Sequence, residues 1–513
     1  MKNKISAFIA ALTMITSSVA AMPHATVDAA SSLPSRVDLS ETEFYPGIMD
    51  QGELNSCGPC AAVFGQFTYE VRKYLREKDP DADISFTYSP LSVYSSINLG
   101  INDPVFAESM YTYLMKQGAL TEDVFPYDGN FDALDHIPND EKALFDALKI
   151  RVDRVESIEL NQMYDRKNNK VVEVEKSESD ARVRKGIKDI KKALNEGKVL
   201  VAQNNYNFEE YIADKATRKN KPFNEKVSYQ NDFLGCSHYF TIVGYDDEIA
   251  CDINGDTRID PDTEKGAFKI ADSYGEDRGN NGYMWVMYDA LYRESLTGLN
   301  SISYDGNNYR YPALMGAYEI YVSEKDIKLV AEADIKTNNY YDVYLKNKCR
   351  NNGLKNTSYE KEGVLPVEYE GPVMADITEI CGDSANNKTF EVTVKNKNNY
   401  GYTKVLVKNI CLKDDKGNIV YKKEICSEDE IAKLYNSLGR GSYGAATFEL
   451  DLPVGDINYD GVYDKKDYKI IKKYYENSGS VDFSLFQQEL IDVDGNQKFD
   501  ESDYKVLKKT YKK

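Results

Sequence analysis

The end of this chain repeats itself. GDINYDGVYDKKDYKIIKKYY is followed by IDVDGNQKFDESDYKVLKKTY. In the first copy Asp456, Asn458, Asp460, Asp464 and Asp467 fall at positions 1, 3, 5, 9 and 12 of a loop, with Gly461 at position 6. In the second, Asp492, Asp494, Asn496, Asp500 and Asp503 hold the same places, with Gln497 at position 6. Val462 and Lys498, at position 7, offer backbone carbonyls. Oxygen ligands at these spacings surround one hard cation, so each loop reads as a Ca2+ site. Each loop then runs into a helical stretch, Tyr468–Tyr475 and Tyr504–Tyr511. Without metal the crowded carboxylates repel one another, and a segment of about 60 residues has little core to offset this. Folding of residues 453–513 is therefore expected to depend on two Ca2+ ions.

Length and charge frame the rest. The 513 residues suffice for about three domains. A formal net charge of −20 argues against nucleic acid and anionic membrane surfaces as partners. Met1 to about Ala21 joins a charged start, MKNK, to the apolar run ISAFIAALTMI and the small residues SSVAA. This is the pattern of a signal peptide. No other stretch is apolar enough to span a bilayer. The expectation is an exported, soluble protein, with residues 1–30 as signal peptide and short leader. The eight cysteines are scattered, without the density of a disulfide scaffold.

The chemistry centres on QGELNSCGPCAAVF, Gln51 to Phe64. From Cys57 onward Ala61, Phe64, Phe67, Val71 and Tyr74 recur at three- and four-residue steps and make one apolar helix face. A thiol in the first turn sits near the positive end of the helix dipole, which favours the thiolate. Gln51, six residues before Cys57, can fold back and offer a side-chain N–H to an oxyanion. Either cysteine could attack at this point. Cys57-Gly-Pro-Cys60 also has the C-x-x-C spacing of thiol oxidoreductases, although it does not follow a strand in a βαβ unit.

A cysteine nucleophile needs a base, and the chain has three histidines. His24 lies at the signal junction and His136 in the loop ALDHIPND, whereas His238 precedes the apolar strand YFTIVGY. Asp272 ends the next strand, GAFKIAD, where a carboxylate can hold the other imidazole nitrogen and fix its tautomer. Between the two lies DINGDTRIDPDTEKG. Its Asp252, Asn254, Asp256 and Asp260 have the spacing of a possible third Ca2+ loop, with Thr257 at position 6 and Glu264 one place late. An acidic surface hairpin is the other reading.

Helical patterns over the Cys57 stretch, Tyr88 to Asn98, Ala107 to Gln117 and Ser177 to Glu196 alternate with loops. The strands KVLVAQNN, HYFTIVGYD, GAFKIADSYG and GYMWVMYD follow, which suggests an α+β body. From about Tyr311 the strands AYEIYV, IKLVAEADI, YYDVYL, TFEVTVKN, TKVLVKNICLKD, NIVYKKEI and AATFELDL are separated by polar turns. They suggest an antiparallel β-sandwich with no catalytic constellation of its own.

Four segments together resemble the papain-like (C1) cysteine peptidases. They are Gln51–Cys57, the Cys57 helix with Ala62-Val63, His238 with Gly244-Tyr245, and DSYGEDRGNNGY, which matches the family's NSWGxGWGxNGY by position. They span roughly Leu33 to Tyr292 in the family's order. The resemblance implies Cys57 as nucleophile, since the family's oxyanion glutamine lies six residues before it. It implies Gln51 as oxyanion donor, His238 as base, Asp272 as orienting residue, and a protein or peptide substrate. Asp272 stands where the family has Asn, and Gly58 and Tyr274 stand where it has Trp. The lost tryptophans imply a wetter site. NLGIND stands near the place of the family's Gly-Gly substrate strand.

The C-terminal repeat resembles a type I-like dockerin, whose partner is the cohesin module of a scaffoldin. Such modules close each loop with Asp at position 12 and carry only the exiting helix. Positions 10 and 11, which steer partner choice there, are Lys465-Lys466 and Glu501-Ser502. The chain thus reads as multidomain: an α+β papain-like peptidase domain over 31–310, an antiparallel β-sandwich domain over 311–452, and a small α calcium-binding dockerin over 453–513. The implied function is a secreted cysteine endopeptidase with a Cys-His-Asp triad, anchored to a cellulosome-type scaffold. A catalytically weakened papain-like binding or inhibitor protein is the alternative.

Overall fold

The computed structural model describes residues 33–511 apart from 161–163, 166–169, 172–174, 209–215, 230, 293, 296–297, 300, 305–306, 311–313, 351, 361–365, 397–402 and 431–444. Residues 1–30, expected to be a signal peptide and short leader, lie outside the described residues together with His24.

The first body packs helices against a mixed sheet. After strand β1 (Arg36–Asp38), helix α1 runs through Cys57–Pro59, Cys60–Phe67 and Thr68–Lys78. Its middle stretch is π-helical. Side chains explain the widening. Thr241 Oγ1 donates to Ala61 O at 3.3 Å and Thr68 Oγ1 to Val63 O at 3.1 Å, so carbonyls of the regular ladder are engaged from the side. Helices α2 (Pro90–Ile97) and α3 (Ala107–Lys116) join α1 in one core through Phe67, Val71, Val93, Tyr94, Met110 and Leu114. Pro90 opens α2, where its missing N–H costs nothing. Helix α4 (Glu141–Ala147) is capped by Asp140, which accepts from Ala143 N.

Strands β2 (Ile150–Glu159), β3 (Leu200–Phe208), β4 (Asn231–Cys251), β5 (Lys265–Ala271), β6 (Tyr283–Met287) and β7 (Leu314–Glu324) form the main path of a ten-stranded sheet, in the order β2-β7-β3-β4-β5-β6, with β1 paired on β4. Helix α5 (Lys176–Asn195) lays Val183, Ile190 and Leu194 on Leu200, Phe240 and Ile242 of this sheet. β7 contains AYEIYV, which the sequence assigned to the sandwich. Instead Tyr318 pairs with Ser157 of β2 and Val201 of β3. A strand's own pattern does not name its partner, and these partners lie far upstream.

The next strands are β8 (Val330–Thr337), β9 (Val343–Cys349), β10 (Lys355–Thr357), β11 (Tyr369–Asp376), β12 (Lys388–Asn396), β13 (Val405–Lys413), β14 (Ile419–Glu424) and β15 (Ala445–Leu450). They make two four-stranded antiparallel sheets, β11-β8-β13-β14 and β10-β9-β12-β15. Ile335, Val392, Val394, Ile410, Leu412 and Phe448 fill one core between them. Tyr341 ties this body to the first, its hydroxyl 2.6 Å from both Ser95 O and Asn98 Oδ1.

The repeat folds as helices α6 (Lys465–Glu476), α7 (Leu485–Ile491) and α8 (Glu501–Tyr511). The tyrosines common to both copies pair across α6 and α8: Tyr475 with Tyr504 at 4.0 Å and Tyr468 with Tyr511 at 4.5 Å between ring centroids. Helix α7 was not expected, since only exiting helices were. Its signal is a capping box, Ser484 with Gln487. α7 buries Phe486 and Leu490 in the core of the sandwich. Glu489 accepts from Ser384 Oγ at 2.7 Å and from the Ala385 and Asn386 N–H groups at 2.9 Å. The tail is therefore seated on the sandwich and does not hang free of it.

Candidate active site

Cys57 opens α1 and is buried. The turn before it is fixed from two sides. Gln51 N–H donates to Ser273 O at 2.8 Å, Gln51 Nε2 donates to Leu54 O at 2.8 Å, and Gln51 Oε1 accepts from Ser273 Oγ at 2.6 Å. Tyr127 donates to Gln51 O at 2.9 Å and meets Ser56 Oγ at 2.6 Å. Asn102, from NLGIND, accepts the Asn55 N–H at 2.7 Å and donates to Glu53 O at 3.0 Å.

His238 and Asp272 come from neighbouring strands. β4 carries His238, and β5 ends at Ala271, which pairs with Thr241 of β4. His238 Nε2 lies 2.9 Å from Asp272 Oδ1, which also accepts the Ser273 N–H at 2.8 Å. Both side chains are 7% exposed. The Cys57 side chain lies close enough to the His238 ring to act on its charge. Burial opposes charge on His238, but the Asp272 carboxylate and then Cys57 outweigh it, so the imidazole titrates well above its usual value. Burial likewise opposes charge on Asp272, yet His238 and then Arg278 hold it below the usual carboxylate value. The structure thus brings Cys57, His238, Asp272 and Gln51 to one place. His136 sits apart and exposed.

Other side chains occupy the places of the missing tryptophans. Tyr274 stacks on the His238 ring at 5.2 Å and 12°. The Arg278 guanidinium lies over Tyr274 at 4.5 Å. At Gly58 a Cβ would fall 2.8 Å from Met110 Sδ, so Met110 fills the space a larger residue would need. Cys60 faces the interior, 3.7 Å from Ser56 Oγ, and burial pushes its thiol up to about 12. Among the described residues Cys57 and Cys60 are unbridged.

The sequence reading passed over Ser273, Tyr127, Asn102 and Arg278. Ser273 and Arg278 lie inside DSYGEDRGNNGY, the very segment that carries the resemblance. Tyr127 and Asn102 lie in loops whose partners only the fold reveals.

The two repeat loops have one geometry. Gln497 takes φ 66° and donates its N–H to Asp492 Oδ2 at 2.8 Å, as Gly461 at φ 85° donates to Asp456 Oδ2 at 2.8 Å. Replacing the usual turn glycine has therefore not changed the loop. Carboxylate oxygens of Asp492, Asp494 and Asp503 lie within 4.8 Å of one another. Burial, then the facing Asp467 and Asp460, raise Asp456 above the usual carboxylate value. A hard cation relieves that repulsion, so the donor set fits Ca2+. The loop at Asp252 follows the same pattern. Thr257 takes φ 70° and donates to Asp252 Oδ2 at 3.0 Å. Glu264 accepts from Ile253, Asn254 and Asp260 N–H groups, as Asp503 does from Val493, Asp494 and Asp500. The extra methylene of glutamate makes up for its late position.

No curated protein is similar in sequence to this chain. Among solved structures it is similar to xylellain, a cysteine protease from Xylella fastidiosa, at 18% identity and TM-score 0.33, over 56% of this chain and 86% of that one. It is also similar to the proform of the ragweed pollen allergen Amb a 11, a cysteine protease, at 16% identity and TM-score 0.33, over 57% and 66%. A third is digestive procathepsin L 3 of the Tenebrio molitor larval midgut, at 13% identity and TM-score 0.31, over 58% and 73%. Residues 454–510 match the Dockerin type I domain family, so the chain ends in a dockerin type I domain.

Proposed function

We propose that this chain is a secreted cysteine endopeptidase held on a cellulosome-type scaffold by its dockerin. The observation that carries the catalytic half is the His238 Nε2–Asp272 Oδ1 pair at 2.9 Å, set beside the buried Cys57 at the start of its helix. Cys57 Sγ attacks the scissile carbonyl carbon as a thiolate paired with the His238 imidazolium. Gln51 Nε2 supplies an N–H to the oxyanion, its amide held in place by Ser273. As the C–N bond breaks, His238 gives its proton to the leaving amine, and a thioester remains on Cys57. Water then attacks this acyl group, His238 takes its proton, and the Cys57 thiolate leaves. Asp272 keeps the imidazole in the tautomer and orientation these transfers need.

The docking half rests on the match at 454–510. Dockerin domains bind cohesins, so the partner is the cohesin module of a scaffoldin, outside the cell. Asp456, Asn458, Asp460, Val462, Asp464 and Asp467 would hold one Ca2+; Asp492, Asp494, Asn496, Lys498, Asp500 and Asp503 a second. A third at Asp252, Asn254, Asp256 and Asp260 belongs to the same reading. No helix among the described residues is long and apolar enough to cross a membrane. Thiol–disulfide exchange at Cys57 and Cys60 is disfavoured, because the Cys60 thiol stays protonated and enclosed. The test is covalent labelling by an epoxide inhibitor of cysteine peptidases, with the site mapped by mass spectrometry. Adduct on Cys57 that disappears in Cys57→Ala supports the peptidase; unlabelled wild type favours the binding-protein alternative.

A further inference from the structure

A carboxylate next to the catalytic base creates a problem that an amide does not. Asp272 is 7% exposed, and an enclosed carboxylate is costly unless its charge is met. One oxygen is accounted for, since Oδ1 faces His238 Nε2 and the Ser273 N–H. The other, Oδ2, lies 3.8 Å from Arg278 Nε. The same guanidinium lies 4.5 Å over the Tyr274 ring, and Tyr274 stacks on His238. Arg278 thus touches both the residue that orients the base and the ring that covers it.

The loop that presents Arg278 is tied down by backbone and side-chain hydrogen bonds. Gly282 N–H donates to Arg278 O at 2.7 Å. Asn280 clamps this loop to the neighbouring segment, accepting from Lys226 N–H at 2.6 Å and donating to Lys226 O at 3.0 Å. The charge is therefore preorganised and does not depend on a flexible arm.

We propose that Arg278 is a positioning residue for the reaction: it fixes Asp272 Oδ2 and the Tyr274 cover, and so allows a carboxylate to serve where an amide would otherwise orient the base. This rests on the peptidase reading above. The groups facing the His238–Asp272 pair are Cys57 from α1 and Tyr274 and Arg278 from the loop after β5, with the Asp50 carboxylate packed against Gly275 nearby. With Arg278 gone, the Asp272 charge is less offset. Asp272 then protonates at a higher pH, and the imidazolium is held to a higher pH. With Asp272 made neutral and Arg278 kept, an uncompensated cation faces the imidazolium.

The test is the pH profile of kcat/KM for peptide hydrolysis by the full chain, in wild type, Arg278→Met, Arg278→Lys, Asp272→Asn and the Asp272→Asn/Arg278→Met double variant. Both limbs should move to higher pH in Arg278→Met and stay at wild-type positions in Arg278→Lys. The double variant should exceed Asp272→Asn by about tenfold or more, a coupling that a purely structural role would not produce. An Arg278→Met profile that superimposes on wild type overturns the proposal. So does an Arg278→Lys profile displaced like that of Met, or a double variant no better than Asp272→Asn. If Cys57→Ala hydrolyses the same peptide as fast as wild type, the peptidase reading itself falls and the proposal with it. An inactive Cys57→Ala beside an unmoved Arg278→Met profile removes the Arg278 role alone.

Discussion

Ser273 Oγ donates to Gln51 Oε1 across 2.6 Å, and the Gln51 N–H returns a bond of 2.8 Å to Ser273 O. The two residues are far apart in sequence, yet this pair fixes which end of the Gln51 amide is the donor. With Oε1 committed to Ser273, Nε2 is the donor end; one of its N–H bonds goes to Leu54 O, which leaves the other for a further acceptor. Asp272 and Ser273 are adjacent, so one turn holds both the His238 ring and the Gln51 amide.

Ser273→Ala is therefore expected to lower kcat by about tenfold to a hundredfold with little change in KM, because a freed amide can present its oxygen to the oxyanion. Steady-state kinetics on a peptide substrate measure this. An unchanged kcat would remove Gln51 from the oxyanion role or Ser273 from its support.

The pH dependence follows from the signs of two shifts. His238 is raised above 6.5, so the stability its charge adds is complete below that value and is lost as pH rises through the raised folded value. Asp272 is lowered from 3.8, so its contribution is complete above that value and is lost as pH falls through the depressed one. Both charges are in place only between these limits, and activity should be lost outside them. Asp272→Asn should move the alkaline limb of kcat/KM to lower pH, since the carboxylate no longer holds the imidazolium. An alkaline limb that stays put would show that the His238 charge is set elsewhere.

Cys60→Ser should keep hydrolysis within about threefold of wild type, since a thiol raised to about 12 is not a nucleophile at neutral pH. Loss of activity, or a disulfide reductase activity that disappears in this variant, would favour the redox reading.

Much of this site was legible in advance because its parts sit in short segments with fixed chemistry. Gln51, Cys57, His238 and Asp272 each belong to a local motif, and two adjacent strands bring the last two together. Helices α2, α3 and α5 of the first body were readable from periodicity, with ends displaced by at most two residues, whereas the short helix α4 was not read from the sequence. What stayed hidden depends on long-range pairing. The β7 strand has the pattern of a sandwich strand, and only its neighbours β2 and β3 place it in the first sheet. Arg278 looks like a solvated turn cation until Tyr274 and Asp272 are seen against it. Helix α7 was overlooked because the resemblance drew attention to the exiting helices, although Ser484 and Gln487 announce its start.

The seating of α7 predicts that tail and sandwich unfold together. Phe486 is fully buried in the sandwich core, so Phe486→Ala should cost about 3–5 kcal/mol. Tyr459, at position 4 of the first loop, donates to Asp414 Oδ2 at 2.7 Å and stacks on Phe486. Calcium removal should therefore lower the transition of the sandwich as well as that of the tail. Calorimetry of the full chain with and without EDTA reads this. A sandwich transition indifferent to EDTA would mean that the two bodies are energetically independent.

The most direct test of the central claim is digestion of a peptide library by the full chain, with wild type, Cys57→Ala and His238→Ala side by side. Cleavage by wild type alone, with neither variant above background, is the predicted result. Cleavage by Cys57→Ala at the wild-type rate would contradict it.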